Sequence, residues 1–302
     1  MRIKADPVFK YACLGCAAMA ALLMVGFFIQ MGIAGAPAWR QFGLGFIISS
    51  DWDPAKGHFG ALAPLAGTIA TTVIALLLAV PPAFAAALFL TESRPATAAI
   101  LGNAIDLLAA IPSVIYGMWG LFVLAPFMQN HLQPFCNRWL FFDRIPLLGG
   151  AANGFGIFTA GVILAVMVLP FVCAIMRDVL RMTPPVLREA AYGLGCTRLE
   201  VTRDVVVRYG LRGLLGAIFI GIGRALGETM AVLFVVGNQM QLPKGLFDSG
   251  TTIAATLANS FAEATGLERS ALFALGMVLL GLSFTIQLAA HCYLNAAGKI
   301  RK

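Results

Sequence analysis

Charged residues are scarce in this 302-residue sequence, in which Asp, Glu, Lys and Arg make up only 12% of the positions. Hydrophobic residues make up 60%, and the mean hydropathy is +0.87. Soluble domains carry about 25% charged and about 45–50% apolar residues, so this composition excludes an ordinary soluble domain. The chain is therefore predicted to lie in a lipid bilayer.

Sequence motifs of enzymes are also missing. There is no G-x-x-x-x-G-K-[ST] run, so the chain cannot form the phosphate-cradling loop that ATP hydrolysis needs. The sequence lacks H-E-x-x-H and G-x-S-x-G as well, and its three histidines lie far apart, at His58, His131 and His291. It thus predicts neither an enzyme nor a metal or cofactor site.

Six long apolar runs are what the sequence has instead. A helix needs roughly 20 apolar residues to cross about 30 Å of hydrocarbon, and the runs do not alternate as the strands of a membrane barrel do. We predict an all-α polytopic membrane protein with six transmembrane helices. The runs are 12–33, 65–90, 100–127, 155–176, 213–237 and 270–293.

Positive charge is unevenly distributed and predicts the orientation of these helices. Of the 21 Lys and Arg residues, 14 precede the first run, follow the sixth or lie in the second and fourth loops, and seven of these 14 are arginines of segment 177–212. By the positive-inside rule, both termini and this segment face the cytoplasm. The net charge of +7 is then a topology signal, and no nucleic-acid partner is indicated.

Proline interrupts three of the runs. Pro81 and Pro82 in the second, Pro112 in the third and Pro170 in the fourth are predicted to kink or break their helices. Broken backbone at membrane depth survives only where protein or a water-filled cavity covers it. The kinks therefore serve either ordinary packing or a transport path, and Asp106 in the third run is expected to reach the cytoplasmic interface.

The polar segment 177–212 predicts a helix, a glycine turn and a second helix. Thr183 suits an N-cap, Pro184 the first helical position, and Gly195 the left-handed position that follows a helix. This first helix is short and amphipathic, and its apolar face is made of Val186, Leu187, Ala190, Ala191 and Leu194.

The second helix of this segment is predicted to begin at a capping box, because Thr197 and Glu200 have its spacing, and to end near Arg208. Two uses of such a basic amphipathic segment are open on the residues alone. Its arginines could meet anionic lipid headgroups, or the short helix could be seated in a groove of a soluble partner.

The fifth run carries a charged pair. Arg224 and Glu228 are four residues apart, so in one helix over 213–237 they would lie on the same face. An arginine at the centre of a membrane helix costs about 2.5–3.5 kcal/mol, so the pair must face other helices or water. It is either a structural ion pair or a site for an oxyanion, whose geometry a planar guanidinium matches.

Several stretches resemble a known family. Glu189-Ala190-Ala191 followed by Gly195 resembles the EAA loop of ABC-importer permeases, the segment that docks on the ATP-hydrolysing subunit. AAIPSVIYGMWGLFV and GRALGETMAVLF resemble the permeases of the phosphate-specific ABC importer, and ETMAV resembles the C-type permease rather than the A-type. The family usually has proline where this chain has Arg208.

This resemblance implies the MetI-like fold of binding-protein-dependent ABC-importer permeases, in the bacterial inner membrane. The implied partners are a second permease in a heterodimer, cytoplasmic ATP-binding subunits and a periplasmic phosphate-binding protein. Arg224 and Glu228 would serve phosphate uptake, whereas Glu189, Ala190, Ala191 and Gly195 would dock the ATPase subunit. The chain would comprise an anchor helix with a periplasmic loop (1–64), a permease domain (65–293) and a cytoplasmic tail (294–302).

A self-contained anion channel or secondary anion transporter is the alternative. Secondary transporters commonly show inverted repeats with paired broken helices. This sequence has one charged span and one arginine-rich segment, without a counterpart in the other half. It therefore favours the ABC-importer interpretation.

Overall fold

The computed structural model describes residues 5–139, 149–150 and 153–299, and these residues fold into an assembly of helices. Five helices in this part of the chain are long and apolar enough to cross a membrane, and a sixth crossing results if two helices that meet at 88° count as one span. The predicted fold class is confirmed, although several predicted spans have other bounds.

The helices follow one another along the described part of the chain. In order they are α1 Ala5–Phe42, α2 Gly45–Ile48, α3 Leu62–Glu92, α4 Pro95–Ala109, α5 Ser113–Trp119, α6 Ala125–Phe127, α7 Gln133–Trp139, α8 Ile157–Arg181, α9 Pro185–Gly193, α10 Arg198–Glu200, α11 Arg208–Leu226, α12 Met230–Leu233, α13 Ile253–Ser260 and α14 Gly266–Lys299. Segments of π-helix, Gly120–Leu124, Met128–Leu132 and Val201–Val207, join α5 to α6, α6 to α7 and α10 to α11.

The centre of the bundle is α8, which packs against α3, α4 and α11. Its residues from Ala160 to Met176 carry no charge, and Ile163, Leu164, Val168 and Val172 are fully buried. Pro170 lies inside this helix without ending it. The fourth predicted run, 155–176, is thus confirmed and extends to Arg181.

The first predicted run, 12–33, is part of a longer helix. The outer loop was expected to begin at residue 34, but α1 continues to Phe42 even though it contains Pro37. The physical reason is packing against α14: the Cα of Gly35 comes so close to α14 that an added Cβ would lie 3.2 Å from the amide nitrogen of Ala274. The amide of Ala38 also donates a 3.1 Å hydrogen bond to Ser270 Oγ. These tertiary contacts override the local helix-breaking tendency of Pro37.

The second predicted run also forms one uninterrupted helix, so of the two predicted outcomes, a kink or a break, Pro81 and Pro82 do not cause a break. The two prolines deprive the carbonyls of Leu77 and Leu78 of their helical donors, yet α3 runs from Leu62 to Glu92. A stripe of fully buried alanines, spaced four residues apart, lets α3 pack closely in the core beside α8: Ala75, Ala79, Ala83 and Ala87. Extensive packing on α8 therefore holds the helix together across the prolines.

The third predicted run, 100–127, is not a single helix. It is divided between α4 and the continuous helix that starts with α5, which meet at 88°. Pro112 is the N-cap of α5 and has ψ of 140°. The residue before a proline is disfavoured in a helix, so α4 ends before Pro112 and a new helix starts after it. The break is held by the Tyr116 hydroxyl, which donates a 2.8 Å hydrogen bond to the carbonyl of Leu108 near the end of α4.

The fifth predicted run, 213–237, is wrong at both ends. The helix that includes its first part begins at Arg198 and ends at Leu226, and the backbone of residues 227–229 is not helical before the short α12. No residue between Val201 and Gly213 ends the helix, whereas Gly227 at its C-terminus is a poor helix former. The second helix of the polar segment therefore merges with the fifth span and does not end near Arg208.

The remaining predicted elements agree with the structure more closely. Between the fifth and sixth runs, α13 forms with Thr252 as its N-cap, whose hydroxyl accepts a hydrogen bond from the amide of Ala255. The sixth run, 270–293, lies inside α14. This helix includes residues 294–299 of the predicted tail, and residues 300–302 lie outside the described part of the chain.

The contact of α3 with the segment before α13 generates a prediction about stability. A Cβ added to Gly67 would overlap the carbonyl oxygen of Thr251, a backbone atom that cannot rotate away. We expect Gly67→Ala to lower the stability of the detergent-solubilised protein by about 1–3 kcal/mol, the usual range for overpacking. A thermal-unfolding scan would show this as a lower Tm.

Gly26→Ala is the matched control for that substitution, since a Cβ at Gly26 meets nothing within 4 Å. Alanine is the better helix former, so this variant should keep or slightly raise the Tm. Equal Tm values for the two variants would contradict the close approach at Gly67.

Candidate functional site

Two places on the chain carry the predicted site residues. The first is the elbow, defined here as residues 182–207, which joins α8 to α11. The second is the broken end of the fifth span, which holds Arg224 and Glu228.

The short helix of the elbow, α9, starts one residue later than predicted. Its N-cap is Pro184 and its first residue is Pro185, whereas Thr183 was expected to cap it and Pro184 to begin it. A residue before proline is excluded from the helical conformation, and Pro184 accordingly has ψ of 134°. The helix can therefore begin only at the second proline.

The glycine turn and the second start are confirmed. Gly195 has φ of +88°, and the amides of Gly195 and Cys196 donate to the carbonyls of Tyr192 and Ala191, at 2.9 and 3.1 Å. These are the two hydrogen bonds of a Schellman motif, which needs a left-handed residue after the helix. The capping box is present too, with the amide of Thr197 donating to Glu200 Oε2 at 2.7 Å and the amide of Glu200 donating to Thr197 Oγ1 at 3.4 Å.

Most of the predicted docking residues lie on the surface of the elbow. Glu189, Ala190 and Gly195 are exposed, whereas Ala191 is buried against the chain itself. Most of the apolar face predicted for α9 is also uncovered in this chain: Val186 is 70% and Leu194 86% exposed. An uncovered apolar face rimmed by polar residues is typical of an interaction surface.

A carboxylate that the sequence analysis did not single out holds the elbow in place. Glu92, the last residue of α3, accepts a 3.0 Å hydrogen bond from Nη1 of Arg188 on α9, and its backbone carbonyl accepts one from Nη2 of Arg198. The Nε of Arg198 also lies 4.0 Å from Glu92 Oε2. Two features of the sequence could have indicated this role: Glu92 follows an apolar run, and it lies on the same predicted side of the membrane as the seven arginines of segment 177–212.

A second ion pair lies at the same end of the bundle. Arg177 Nη1 on α8 is 3.3 Å from Asp106 Oδ2 on α4, and Arg177 Nε is 3.2 Å from Asp178 Oδ1. Asp106 was expected to reach the cytoplasmic interface, and its partner Arg177 is the first residue of segment 177–212, which is predicted to be cytoplasmic. The pair joins α4 to α8 beside the elbow without touching α9.

The predicted Arg224 and Glu228 pair does not share a helical face. Arg224 lies in the last turn of α11, while Glu228 follows the end of that helix, within the non-helical stretch 227–229. Among the described residues, no ion pair within 4.0 Å joins the two side chains. The prediction failed because it assumed helical periodicity across a break.

Arg224 is stabilised by other means. Its guanidinium carbon lies 5.0 Å from the centre of the Phe171 ring on α8, a cation–π contact. A cation in the last turn of a helix is also favoured by the negative end of the helix dipole. The side chain is exposed on the surface of this chain, whereas Glu228 is half-buried. The guanidinium donors are thus held in place by a ring and left available to an anion.

The short helix that follows the break beside Arg224, α12, packs against α5. A Cβ at Gly117 would lie 2.6 Å from the Phe234 ring and 2.9 Å from the Met230 carbonyl, so only glycine lets α12 pack this closely. Gly117 lies one residue after Tyr116, which holds the other broken span. The two interrupted spans therefore meet at the contact between α5 and α12. Neither Gly117 nor Phe171 was singled out in the sequence, because their contacts join segments far apart in the chain.

Comparisons with known proteins agree with this architecture. Residues 79–291 match the family described as binding-protein-dependent transport system inner membrane component. A Pasteurella multocida protein named phosphate transport system permease protein PstC is 46% identical over 263 residues, which cover 85% of this chain and 82% of that protein. The Haemophilus influenzae protein of the same name is 44% identical over 283 residues, covering 91% and 88%.

Solved structures show the same fold. The inward-facing methionine ABC transporter MetNI contains a chain that matches with a TM-score of 0.61, covering 82% of this chain and 99% of that one at 17% identity. The relatives and the fold place this protein among the multi-pass membrane permeases of ABC transporters, which work with further subunits, and a self-contained channel or secondary transporter is not supported. The chain belongs to the binding-protein-dependent transport system inner membrane components and, among them, to the family of phosphate transport system permease proteins named PstC.

Proposed function

We propose that this chain is a membrane-spanning subunit of an ATP-driven importer of inorganic phosphate. It forms the translocation path as a heterodimer with a second permease and takes up phosphate delivered by a periplasmic binding protein. Cytoplasmic ATP-binding subunits supply the energy, since the sequence has no phosphate-cradling loop of its own. The names of the relatives at 44–46% identity support phosphate as the substrate.

One observation carries the proposal: the Arg224 guanidinium is exposed at the end of a broken membrane helix, over the Phe171 ring. Guanidinium offers planar, paired donors that match the oxygens of phosphate, and it stays charged at every physiological pH. A charged group at such a position in a membrane protein marks an ion pathway more often than a packing contact. Arg224 therefore contacts phosphate during its passage.

Glu228 has a complementary role in this proposal. A site with a lone arginine would hold an anion of charge −1 to −2 too tightly to release it, and conduction requires binding that is weak enough for the ion to leave. A carboxylate just past the helix end, half-buried beside the same break, lowers the affinity of the site. Arg224 and Glu228 together form the substrate path or its gate.

The elbow is the docking element for the ATP-binding subunit. Glu189, Ala190 and Gly195 are exposed there, next to the uncovered apolar side chains of Val186 and Leu194. A short amphipathic helix seated in a groove of a partner is a common mode of recognition. Ala191 supports the surface from beneath, since its side chain is buried.

The same assignment fixes the orientation that we propose. The elbow faces the cytoplasm, where ATP is available, and both termini lie on that side of the bacterial inner membrane in accord with the charge distribution. Residues 1–64 then form an anchor helix with a periplasmic loop, 65–293 the permease domain and 294–302 a cytoplasmic tail.

The transport role predicts the behaviour of Arg224→Gln in the reconstituted complex of both permeases and the ATP-binding subunits. We expect this variant to assemble normally and to abolish ATP-dependent uptake of radiolabelled phosphate, because glutamine keeps a polar side chain but removes the charge. Arg94→Gln, which removes an exposed arginine from the turn between α3 and α4, is the matched control and should transport normally. Wild-type uptake by Arg224→Gln, or uptake without ATP by the unmodified complex, would refute the proposal.

The docking role predicts the behaviour of Glu189→Lys. We expect the reversed charge on the exposed face of α9 to reduce co-purification of the ATP-binding subunit with the permease pair at least about tenfold, the loss that 1.4 kcal/mol produces. Glu263→Lys makes the same charge change at an exposed position outside the elbow, between α13 and α14, and should leave the pull-down unchanged. An unchanged pull-down for Glu189→Lys would mean that the partner binds elsewhere.

A further inference from the structure

The elbow is connected to the membrane-spanning helices through one carboxylate, Glu92 at the end of α3. The Glu92 and Arg188 side chains are only 21% and 24% exposed, and their 3.0 Å contact joins residues 96 positions apart. Arg188 also reaches back to α8, where Nη2 lies 3.5 Å from the Leu180 carbonyl. Arg198 adds a hydrogen bond to the backbone carbonyl of Glu92 from the start of the second helix. Glu92 thus ties both helices of the elbow to α3, through its carboxylate to Arg188 and through its backbone carbonyl to Arg198.

This connection matters because α9 cannot hold its own position. A helix of nine residues is too short to be stable by itself, so its placement depends on what it contacts. It packs against the π-helical segment Val201–Val207 and is tied to α3 by Arg188. Arg188 and Glu189 are neighbours on α9, yet Arg188 faces the bundle and Glu189 is exposed. Arg188, which binds Glu92 of the bundle, is therefore the immediate neighbour of the exposed Glu189.

The path from this ion pair into the membrane is continuous. From Glu92, α3 runs back along α8, and their contact is the most extensive between any two helices described in this structure. The same α8 carries Phe171, whose ring lies under the Arg224 guanidinium. A displacement of α9 that pulls on Arg188 would move α3 and α8 together, because packed helices move as rigid elements.

We propose that Glu92 is a positioning residue for energy coupling, which transmits movement of the docked elbow into α3 through Arg188. This inference rests on the proposed docking of the ATP-binding subunit on the elbow. Glu92 contacts neither phosphate nor nucleotide, and it acts by keeping α9 and α3 in one rigid unit. Without this contact, the ATP-binding subunit still binds the elbow, but movement of the subunit rotates α9 and is not transmitted to α3.

The test is Glu92→Gln in the reconstituted complex, with three readouts: co-purification of the ATP-binding subunit, ATP hydrolysis and phosphate uptake. We expect normal co-purification and at least about a fivefold rise in the ATP hydrolysed per phosphate transported, the low end of typical coupling factors. Asp106→Asn is the matched control, since it removes a carboxylate paired with Arg177 at the same end of the bundle but away from α9. Its ratio of hydrolysis to transport should be unchanged.

A charge exchange separates coupling from simple structural support. The double variant Glu92→Arg with Arg188→Glu restores an ion pair between α3 and α9 in the opposite sense and should recover most of the coupling that either single variant loses. Should Glu92→Gln fail to assemble, Glu92→Asp keeps the charge with a shorter reach, and intermediate coupling is then expected.

Each result bears on one proposal. Three results would overturn the positioning role: unchanged coupling in Glu92→Gln, no recovery of coupling in the charge exchange, or loss of ATPase co-purification together with transport. Failure of the docking proposal is detected separately, because it leaves the pull-down of Glu189→Lys intact.

Discussion

Helix breaks inside a membrane protein need partners for their backbone groups, and this constraint organises the structure. Where α11 ends at Leu226, its last carbonyls lose their helical donors, and hydrocarbon offers none. Part of the requirement is met locally, by the Glu228 amide, which donates to the Ala225 carbonyl at 3.4 Å. After the break, Gly117 allows α5 to lie against α12. The same break places Arg224 at a helix end.

The break in the third predicted span belongs to the same arrangement. There the Tyr116 hydroxyl adds a 2.8 Å hydrogen bond to the carbonyl of Leu108, which also accepts one from the Ile111 amide at 3.3 Å. Since Tyr116 and Gly117 are adjacent on α5, one short helix contacts the end of α4 and packs against α12. Interrupted helices of this kind supply the helix ends that bind ions in transporters.

Features that depend on neighbouring residues could be predicted from the sequence, whereas features that depend on packing could not. The turn at Gly195 and the capping box at Thr197 were correct because each is stabilised within a few residues. The predicted end of the first run was wrong because contacts with α14 extend α1 to Phe42. The face shared by Arg224 and Glu228 was wrong because α11 ends at Leu226, between the two residues. A contact such as that of Glu92 with Arg188, across 96 positions, leaves no periodicity in a single sequence.

The carboxylate partners of the arginines in the polar segment bear on what the elbow contacts. Arg177, Arg188, Arg198 and Arg203 each lie within 4.0 Å of a carboxylate of this chain. Fewer charges are therefore available for lipid headgroups than the sequence indicated. A helix lying on a membrane would turn its apolar side chains toward the lipid and its arginines toward water. In α9, Arg188 faces the bundle while Val186 is exposed on the surface of the chain. That arrangement suits an apolar groove on a soluble subunit better than a lipid surface.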